Sequence, residues 1–298
     1  MKKKILITGG SGFLGSRLAL YYKDKYDLLL PSHAELNISR EEAVKAYLEE
    51  QRPDVVVHCA ALSNTWYCEQ HAEESHRVNV QGTVRIAKAC KLTGAKLVFM
   101  SSDQVYNGTP QSGLLTEDAV LQPTNVYGRH KLEAEQRALW NLPCAVGLRL
   151  TWMYDLPSSF TKPSTNPALG TLRSSKNILV NLLEAHDEGT TVRAATHEFR
   201  GVTNVWEVVH NMEKAIDLPG GIYNFGSPNA INSHALFLAA AASLGFGDAS
   251  SWIHPDEERF ADQPRNLTMD CSLIERHGIR FLDSVEGIEE AVKHPIRW

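Results

Sequence analysis

Residues Ile5-Leu6-Ile7-Thr8 run straight into Gly9-Gly10-Ser11-Gly12-Phe13-Leu14-Gly15, and a helix-type stretch begins at Ser16-Arg17-Leu18-Ala19. An apolar β-type run that breaks on three spaced glycines and restarts as a helix leaves few folds open. The chain must turn tightly between a buried strand and a helix packed against it. Gly9 allows the tight turn, Gly12 lets backbone come close to a pyrophosphate, and Gly15 lets the helix lie near the strand. The helix N-terminus offers free N–H groups and a partial positive charge to phosphates. The ligand this arrangement suits is a dinucleotide, with Gly9, Ser11, Gly12, Phe13, Leu14 and Gly15 as its contacts.

The rest of the first half extends the pattern. Strand-type runs at Lys4–Thr8, Asp27–Leu30, Val55–Cys59, Lys96–Ser101 and Ala145–Leu150 alternate with helical stretches at Ser16–Lys25, Arg40–Gln51, Glu73–Thr93 and Tyr127–Trp140. Val-, Ile- and Leu-rich strands separated by helices predict an α/β fold, a Rossmann-type doubly wound parallel sheet covered on both faces. The alternation fades after Arg149. Residues 1–150, with part of 201–220, are expected to form the dinucleotide-binding domain, and residues 151–200 and 221–298 a smaller C-terminal substrate-binding lobe. The stretch 155–176 carries Pro157, Pro163, Pro167 and Gly170 among serines and threonines, the composition of a long mobile loop beside an active site.

Charge and cysteine content narrow the function. A net charge of −5, with Lys2-Lys3-Lys4 as the one basic run, gives no electrostatic footprint for nucleic acid. The longest apolar stretch, Leu236 to Leu244, is too short to span a bilayer, so no membrane partner is expected. Five widely spaced cysteines without a C-x-x-C pair argue against a disulfide framework or zinc site and for a reducing cytoplasm. Twelve histidines lack ligand spacing, so no metal site is expected.

Two further segments carry chemistry. Tyr127 and Lys131 are four residues apart and share one face of a helix. A neighbouring ammonium favours the phenolate and is expected to bring the tyrosine pKa toward working pH. Alone, such a pair is an ordinary helix surface. The strand ending at Ser101-Ser102-Asp103, however, presents a hydroxyl at the edge where ligands of parallel sheets bind, and Ser102 is placed to hold a carbonyl beside Tyr127.

Thr8-Gly-Gly-Ser-Gly-Phe-Leu-Gly15, His58-Cys-Ala-Ala61, Asn79, Ser101-Ser102 and Tyr127-x-x-x-Lys131 resemble, in order and spacing, the extended short-chain dehydrogenases/reductases. Ser101-Ser-Asp-x-Val-Tyr106, Arg149-Leu-Thr-Trp152-x-Tyr154, Arg200-Gly-Val-Thr203 and Gln263-Pro-Arg-Asn-x-x-Met-Asp270 resemble segments of the dTDP-4-dehydrorhamnose reductase group within that superfamily. The resemblance covers nearly the whole chain. It implies an oxidoreductase that reduces a 4-keto nucleotide sugar with NADP(H) or NAD(H). Tyr127 would protonate the carbonyl oxygen, Lys131 would tune the phenol and hold the ribose, and Ser102 would orient the carbonyl. Ala60 and Ala61 would line the cofactor channel, and Asn79 would hold a link behind Lys131. Ser63, Asp103, Trp152 and Arg200 would meet the substrate, and a homodimer is compatible with the resemblance.

The pattern departs from the group in two places. Trp66 stands where the reductases carry Asp, which puts the sugar in question. The second strand ends at Leu30-Pro31-Ser32-His33 without the acid an NAD-preferring site places there; with Arg17, Ser32 and His33 suit a 2′-phosphate, a slight preference for NADP(H). Two alternatives stay open. One is an NAD-dependent nucleotide-sugar epimerase or dehydratase, although a dehydratase's Asp-Glu pair is here Asp103-Gln104. The other is a non-catalytic dinucleotide-binding subunit resembling the regulatory subunit of methionine adenosyltransferase.

Overall fold

A computed structural model describes residues 2–156 and 176–294. The expected loop at 155–176 therefore lies almost wholly outside the described residues. In chain order the elements begin β1 (Lys4–Thr8), α1 (Phe13–Tyr22), β2 (Asp27–Leu29), α2 (Glu41–Gln51), β3 (Val55–His58), α3 (Thr65–Gln70) and α4 (Ala72–Ser75). A π-helical turn, His76–Gly82, leads into α5 (Thr83–Thr93) and β4 (Lys96–Ser102); a 3₁₀ turn, Asp103–Tyr106, precedes α6 (Val126–Asn141), β5 (Val146–Leu150) and β6 (Trp152–Tyr154). Then come α7 (Ile178–Glu188), β7 (Val192–Ala195), β8 (Glu198–Arg200), β9 (Val202–Asn204), α8 (Val205–Ile216) and β10 (Gly221–Phe225). The described chain ends with α9 (Ser233–Ser243), β11 (Ile253–Asp256), β12 (Arg265–Leu267), α10 (Ser272–Glu275) and α11 (Ser284–Lys293).

The main sheet has six strands in the order β10-β5-β4-β3-β1-β2, every pair parallel. Its strands are apolar on both sides because both sides are covered. Ile5, Ile7, Val55, Val57, Val98 and Leu148 pack toward α1 and α8, whereas Leu6, Val56, Leu97 and Phe99 pack toward α2, α5 and α6. Each such side chain, fully buried, contributes about 1.5–3 kcal/mol. The five strands expected from the sequence all form, within one residue at each end. The expected helix Glu73–Thr93 is instead interrupted by the π turn, where Asn79 turns inward.

All six strands end on one edge of the sheet. The winding reverses between β1 and β3, and crevices outside strand C-termini at such a reversal are where open α/β sheets take ligands. The register Ser102↔Leu150 sets the end of β4 directly beside the start of β6. Three two-stranded parallel pairs, β6-β9, β7-β11 and β8-β12, lie beyond this edge. A separate core of Tyr154, Ile178, Leu182, Leu236, Ala240 and Ile288 joins α7, α9 and α11. β10 belongs to the main sheet, so the return of the chain to the sheet runs on past residue 220. Leu267, Met269 and Ile274 also pack into the main core, so parts of the last segment serve the sheet as well.

Candidate active site

The glycine turn follows from the close approach of β1 and β3. Gly9 has φ +67°, and a Cβ there would meet the Ala60 backbone nitrogen at 2.8 Å. A Cβ on Gly15 would sit 2.3 Å from the Gly9 carbonyl oxygen. Gly12 closes the turn by donating its N–H to the Gly9 carbonyl at 2.9 Å and caps α1 without a side chain. The first amides of α1 are thus left facing a cleft of about 890 Å³ at the sheet edge.

That cleft brings together most of the residues singled out from the sequence. Gly12, Phe13, Leu14, Ala61 and Ser63 line one part; Ser102, Asp103, Tyr127, Lys131, Trp152 and Arg200 line the rest. Gly9, Gly15 and Ala60 do not line it; they shape the turn from beneath. Ser11 is exposed at the turn, and Ser32 and His33 are exposed beyond the end of β2. Trp66 is 71% exposed on α3 and does not line the cleft, although its neighbours Asn64 and Thr65 do.

Tyr127 and Lys131 lie one turn apart on α6, whose N-terminus is fixed by Asn125. The Asn125 Oδ1 accepts the Gly128 N–H at 2.6 Å, and its Nδ2 donates to Gln104 Oε1 at 2.9 Å. The helix is therefore tied to the residues just after β4. The Lys131 ammonium donates to the Met100 carbonyl at 2.9 Å and lies 5.6 Å from the centre of the Tyr127 ring. Burial lowers its pKa to about 8, with Glu135 acting in the opposite direction. The Tyr127 phenol does not follow the sequence expectation. Burial pushes it well above the usual tyrosine range and the Asp103 carboxylate adds to that, while the Ser102 hydroxyl opposes it. The sequence shows a lysine four residues away but not the loss of water, and here the loss of water wins.

Ser102 donates from Oγ to Asp103 Oδ1 at 3.0 Å and accepts the Gln104 N–H at 3.2 Å. The other Asp103 oxygen accepts from Arg200 Nη2 at 2.9 Å, and the Arg200 guanidinium lies 5.4 Å from the Trp152 ring centre. β8 thus reaches across the cleft to the end of β4. Arg259 and Arg265 also line it, and the Nε atoms of Arg200 and Arg265 are buried without a partner. Arg200 and Arg265 are paired with Asp103 and Glu198, but the cleft lining also carries Lys131, Lys176, Arg193 and Arg259. This excess of cations, with helix amides at the other end, suits anionic ligands. Arg265 falls in the Gln263-Pro-Arg-Asn segment noted in the sequence, but no local periodicity marks it as part of the cleft.

Three supporting residues depart from expectation. Asn79 makes no direct bond to Lys131; it accepts the Leu62 N–H at 2.9 Å and donates to the Leu62 carbonyl at 2.9 Å, pinning the loop after β3. Arg17 is fully buried, donating to Asp155 Oδ2 at 2.8 Å and to the Phe13 carbonyl at 2.7 Å, so it is not placed to meet a ribose phosphate. The Ser32 N–H and hydroxyl both donate to Glu35 Oε2 at 2.8 Å, which brings a carboxylate back to the tip of β2. His58 bridges Thr8 Oγ1 at 2.7 Å and Thr83 Oγ1 at 3.2 Å in the interior, and burial, then the Lys131 charge, lowers its pKa to about 3. Among the described residues no group of three or more His, Cys, Asp or Glu side chains is arranged to hold a metal ion.

The doubly wound sheet, its glycine turn and the cleft over its C-terminal edge define an α/β protein of the nucleotide-crevice type. Residues 2–295 match the RmlD substrate binding domain, and the chain belongs to that family. It is similar to methionine adenosyltransferase 2 subunit beta of Xenopus laevis, 29% identical over 93% of this chain and 83% of the relative. It is also similar to a dTDP-4-dehydrorhamnose reductase of Mycolicibacterium smegmatis, 34% identical over 52% of this chain and 47% of the relative. The dTDP-4-dehydrorhamnose reductase of Bacillus anthracis, solved in complex with NADP, shares the fold with a TM-score of 0.83 at 20% identity, covering 99% of this chain and 100% of that one.

Proposed function

We propose that this protein is an NAD(P)H-dependent reductase of a 4-keto nucleotide sugar, similar to dTDP-4-dehydrorhamnose reductase. The observation that carries the reading is the convergence of Ser102, Tyr127 and Lys131 on one cleft with the Gly12–Leu14 turn. A bound nicotinamide supplies the hydride in such a reaction. Tyr127 gives its proton to the substrate carbonyl oxygen. Burial and the Asp103 carboxylate keep the phenol protonated in the ligand-free protein, so its proton is present when the carbonyl arrives. Ser102 turns its hydroxyl from Asp103 toward the carbonyl, and Lys131, cationic below about pH 8, holds the ribose and attracts electron density toward the phenol oxygen. The cationic end of the cleft, with Arg200, Arg259 and Arg265, receives the anionic part of the nucleotide sugar. Trp152, Ser63 and Asp103 complete the sugar site.

The slight preference for NADP(H) over NAD(H) rests on Ser32 and His33 standing at the tip of β2 in place of an acid; Glu35, brought back to that tip, opposes it. Residues 1–150, with the returning segment, bind the dinucleotide and the remainder binds substrate. Leu92 on α5 and Trp140 on α6, 64% and 88% exposed, are the apolar side chains that support a homodimer. No described helix is long and apolar enough to cross a membrane, and the five cysteines are all free, which supports the cytoplasm.

The test is consumption of reduced cofactor against a panel of 4-keto nucleotide sugars, with Tyr127→Phe as the control. Turnover in the wild type and a loss of about 10²–10⁴-fold in the variant is expected, the usual worth of a placed proton donor. Near-normal turnover in Tyr127→Phe would remove this mechanism. A second reading, a dinucleotide-binding regulatory subunit, is favoured by the near full-length likeness to methionine adenosyltransferase 2 subunit beta. Dinucleotide binding without turnover of any keto-sugar supports it.

A further inference from the structure

Behind the cleft lies a buried ion pair that the proposed mechanism does not use. Glu135 sits on α6 four residues after Lys131, so both side chains face β4. They grip consecutive residues of that strand. Lys131 donates to the Met100 carbonyl at 2.9 Å, and Glu135 Oε1 accepts the Ser101 hydroxyl at 2.5 Å. Arg149 on β5 holds the same carboxylate with two hydrogen bonds, Nε to Oε1 at 3.0 Å and Nη2 to Oε2 at 2.8 Å. The arginine is itself fixed by Tyr106, whose hydroxyl accepts from Nη1 at 2.7 Å and donates to Asn224 Oδ1 at 2.7 Å. Both members of the pair are almost entirely buried, with side chains 4% and 3% exposed. The network therefore reaches from β10 through β5 and β4 to the helix that carries Tyr127 and Lys131.

We propose that Glu135 is a positioning residue: anchored by Arg149 and Ser101, it holds the Lys131 turn of α6 in register with the end of β4. The proposal rests on the role given to Lys131 in the reductase reading. A buried ion pair gives little net stability compared with apolar residues of the same volume. A pair that ties a functional lysine to the sheet gains its worth from placement. The groups that act on the Lys131 ammonium are known from each neighbouring element. His58 and Cys59 act from the end of β3, Cys68 from α3, and Tyr127 and Glu135 from α6. β4 contributes the Met100 carbonyl. Cys59 is held neutral by burial, its pKa raised to about 12, and His58 is held neutral with a pKa of about 3. Glu135 is therefore the carboxylate that acts on this lysine, and Arg149 on β5 is the cation that shares it.

The test needs neither substrate nor cofactor, so it is separable from the reductase reading. Lysine labelled with ¹³C at Cε is followed by NMR across pH in the unliganded protein, and the Lys131 signal is assigned by its loss in Lys131→Met. The wild-type midpoint is expected at about 8. In Glu135→Gln it should fall by about one pH unit or more, the usual effect of removing an adjacent opposite charge. Glu135→Asp keeps the charge and should keep the midpoint near the wild-type value. Because the single glutamine variant leaves Arg149 unpaired, the double variant Glu135→Gln/Arg149→Met is measured beside it and should show the same fall. An unchanged midpoint in either folded glutamine variant overturns the proposal. Failure of both to fold also counts against it, since the carboxylate would then be a packing element. If the midpoint falls but no keto-sugar is turned over, the positioning role stands and the reductase reading fails.

Discussion

Gly12 and Gly15 stand three residues apart in one turn, yet alanine at the two sites should produce opposite signatures. At Gly15 an added Cβ would lie 2.3 Å from the Gly9 carbonyl oxygen, 2.9 Å from its carbon and 3.0 Å from Gly10 Cα. All three are backbone atoms that no rotamer change can move. Relief requires α1 to shift by about 1 Å against a core packed at crystal density. Overpacking of this kind costs about 1–3 kcal/mol. At roughly 2–4 °C per kcal/mol for a chain of this size, Gly15→Ala should lower the Tm by several degrees. Gly12 has φ −75° and ψ 175°, a conformation alanine adopts freely, and its Cβ would meet only the Gly9 oxygen, at 3.1 Å. Gly12→Ala should therefore cost much less stability than Gly15→Ala, because the smaller unfolded-state entropy of alanine, worth about 0.4–1 kcal/mol, offsets the close Gly9 contact and the poorer helix cap.

Binding reverses the order of severity per unit of stability. The Gly12 Cβ would stand between the helix amides and a pyrophosphate, so Gly12→Ala should weaken binding of the reduced dinucleotide at least tenfold, or about 1.4 kcal/mol, in a protein that loses less stability than Gly15→Ala. Thermal unfolding followed by circular dichroism, and equilibrium titration of NADH and NADPH followed by their fluorescence, read the two quantities separately. Wild-type affinity in Gly12→Ala would refute the placement of the pyrophosphate. A fall in Tm for Gly12→Ala equal to that of Gly15→Ala would refute the steric argument.

Glu35→Gln should shift the NADPH-to-NADH affinity ratio toward NADPH, because the carboxylate at the tip of β2 repels a 2′-phosphate; an unchanged ratio in equilibrium titration means that Glu35 lies outside the ribose site. His58 is buried neutral with a pKa of about 3, below its ordinary value of 6.5, so the unfolded chain takes up the proton first as pH falls. Its stabilising effect should be complete above pH 6.5 and lost progressively toward pH 3. Replacing it by Gln should flatten the dependence of Tm on pH in that window, and an equal slope in both proteins counts against the assignment.

The sheet was legible because burial on both faces turns its strands into continuous apolar runs, Ile5-Leu6-Ile7 and Val55-Val56-Val57 among them. The nucleotide turn was legible because Gly9 and Gly15 answer to local backbone geometry. What stayed hidden depends on distant partners. Arg17, a basic residue just after the turn, reads as a phosphate ligand until Asp155, 138 positions later, takes it into the interior. Asp103 meets Arg200 across 97 positions, and Asn79 meets Leu62 from within a π turn that has no sequence period.

The same limit explains the misread acidity of Tyr127, and its correction bears on the proton step of the proposed reaction. Spacing alone pairs the phenol with Lys131 and predicts an easily ionised tyrosine. In the fold, the ammonium points at the Met100 carbonyl and the phenol is desolvated beside Asp103. A phenolate there would sit next to a carboxylate in a site with little water, which costs more than the lysine returns. Without a ligand the neutral phenol is therefore the resting form, and a neutral phenol can give a proton but cannot take one. The site as folded is set for protonating a carbonyl oxygen. Oxidation of an alcohol would first require the Tyr127 proton to leave against the Asp103 field. One site serves both directions of a reversible hydride transfer. This desolvation therefore sets the protonation of the resting phenol, while the supply of cofactor and substrate sets which direction runs.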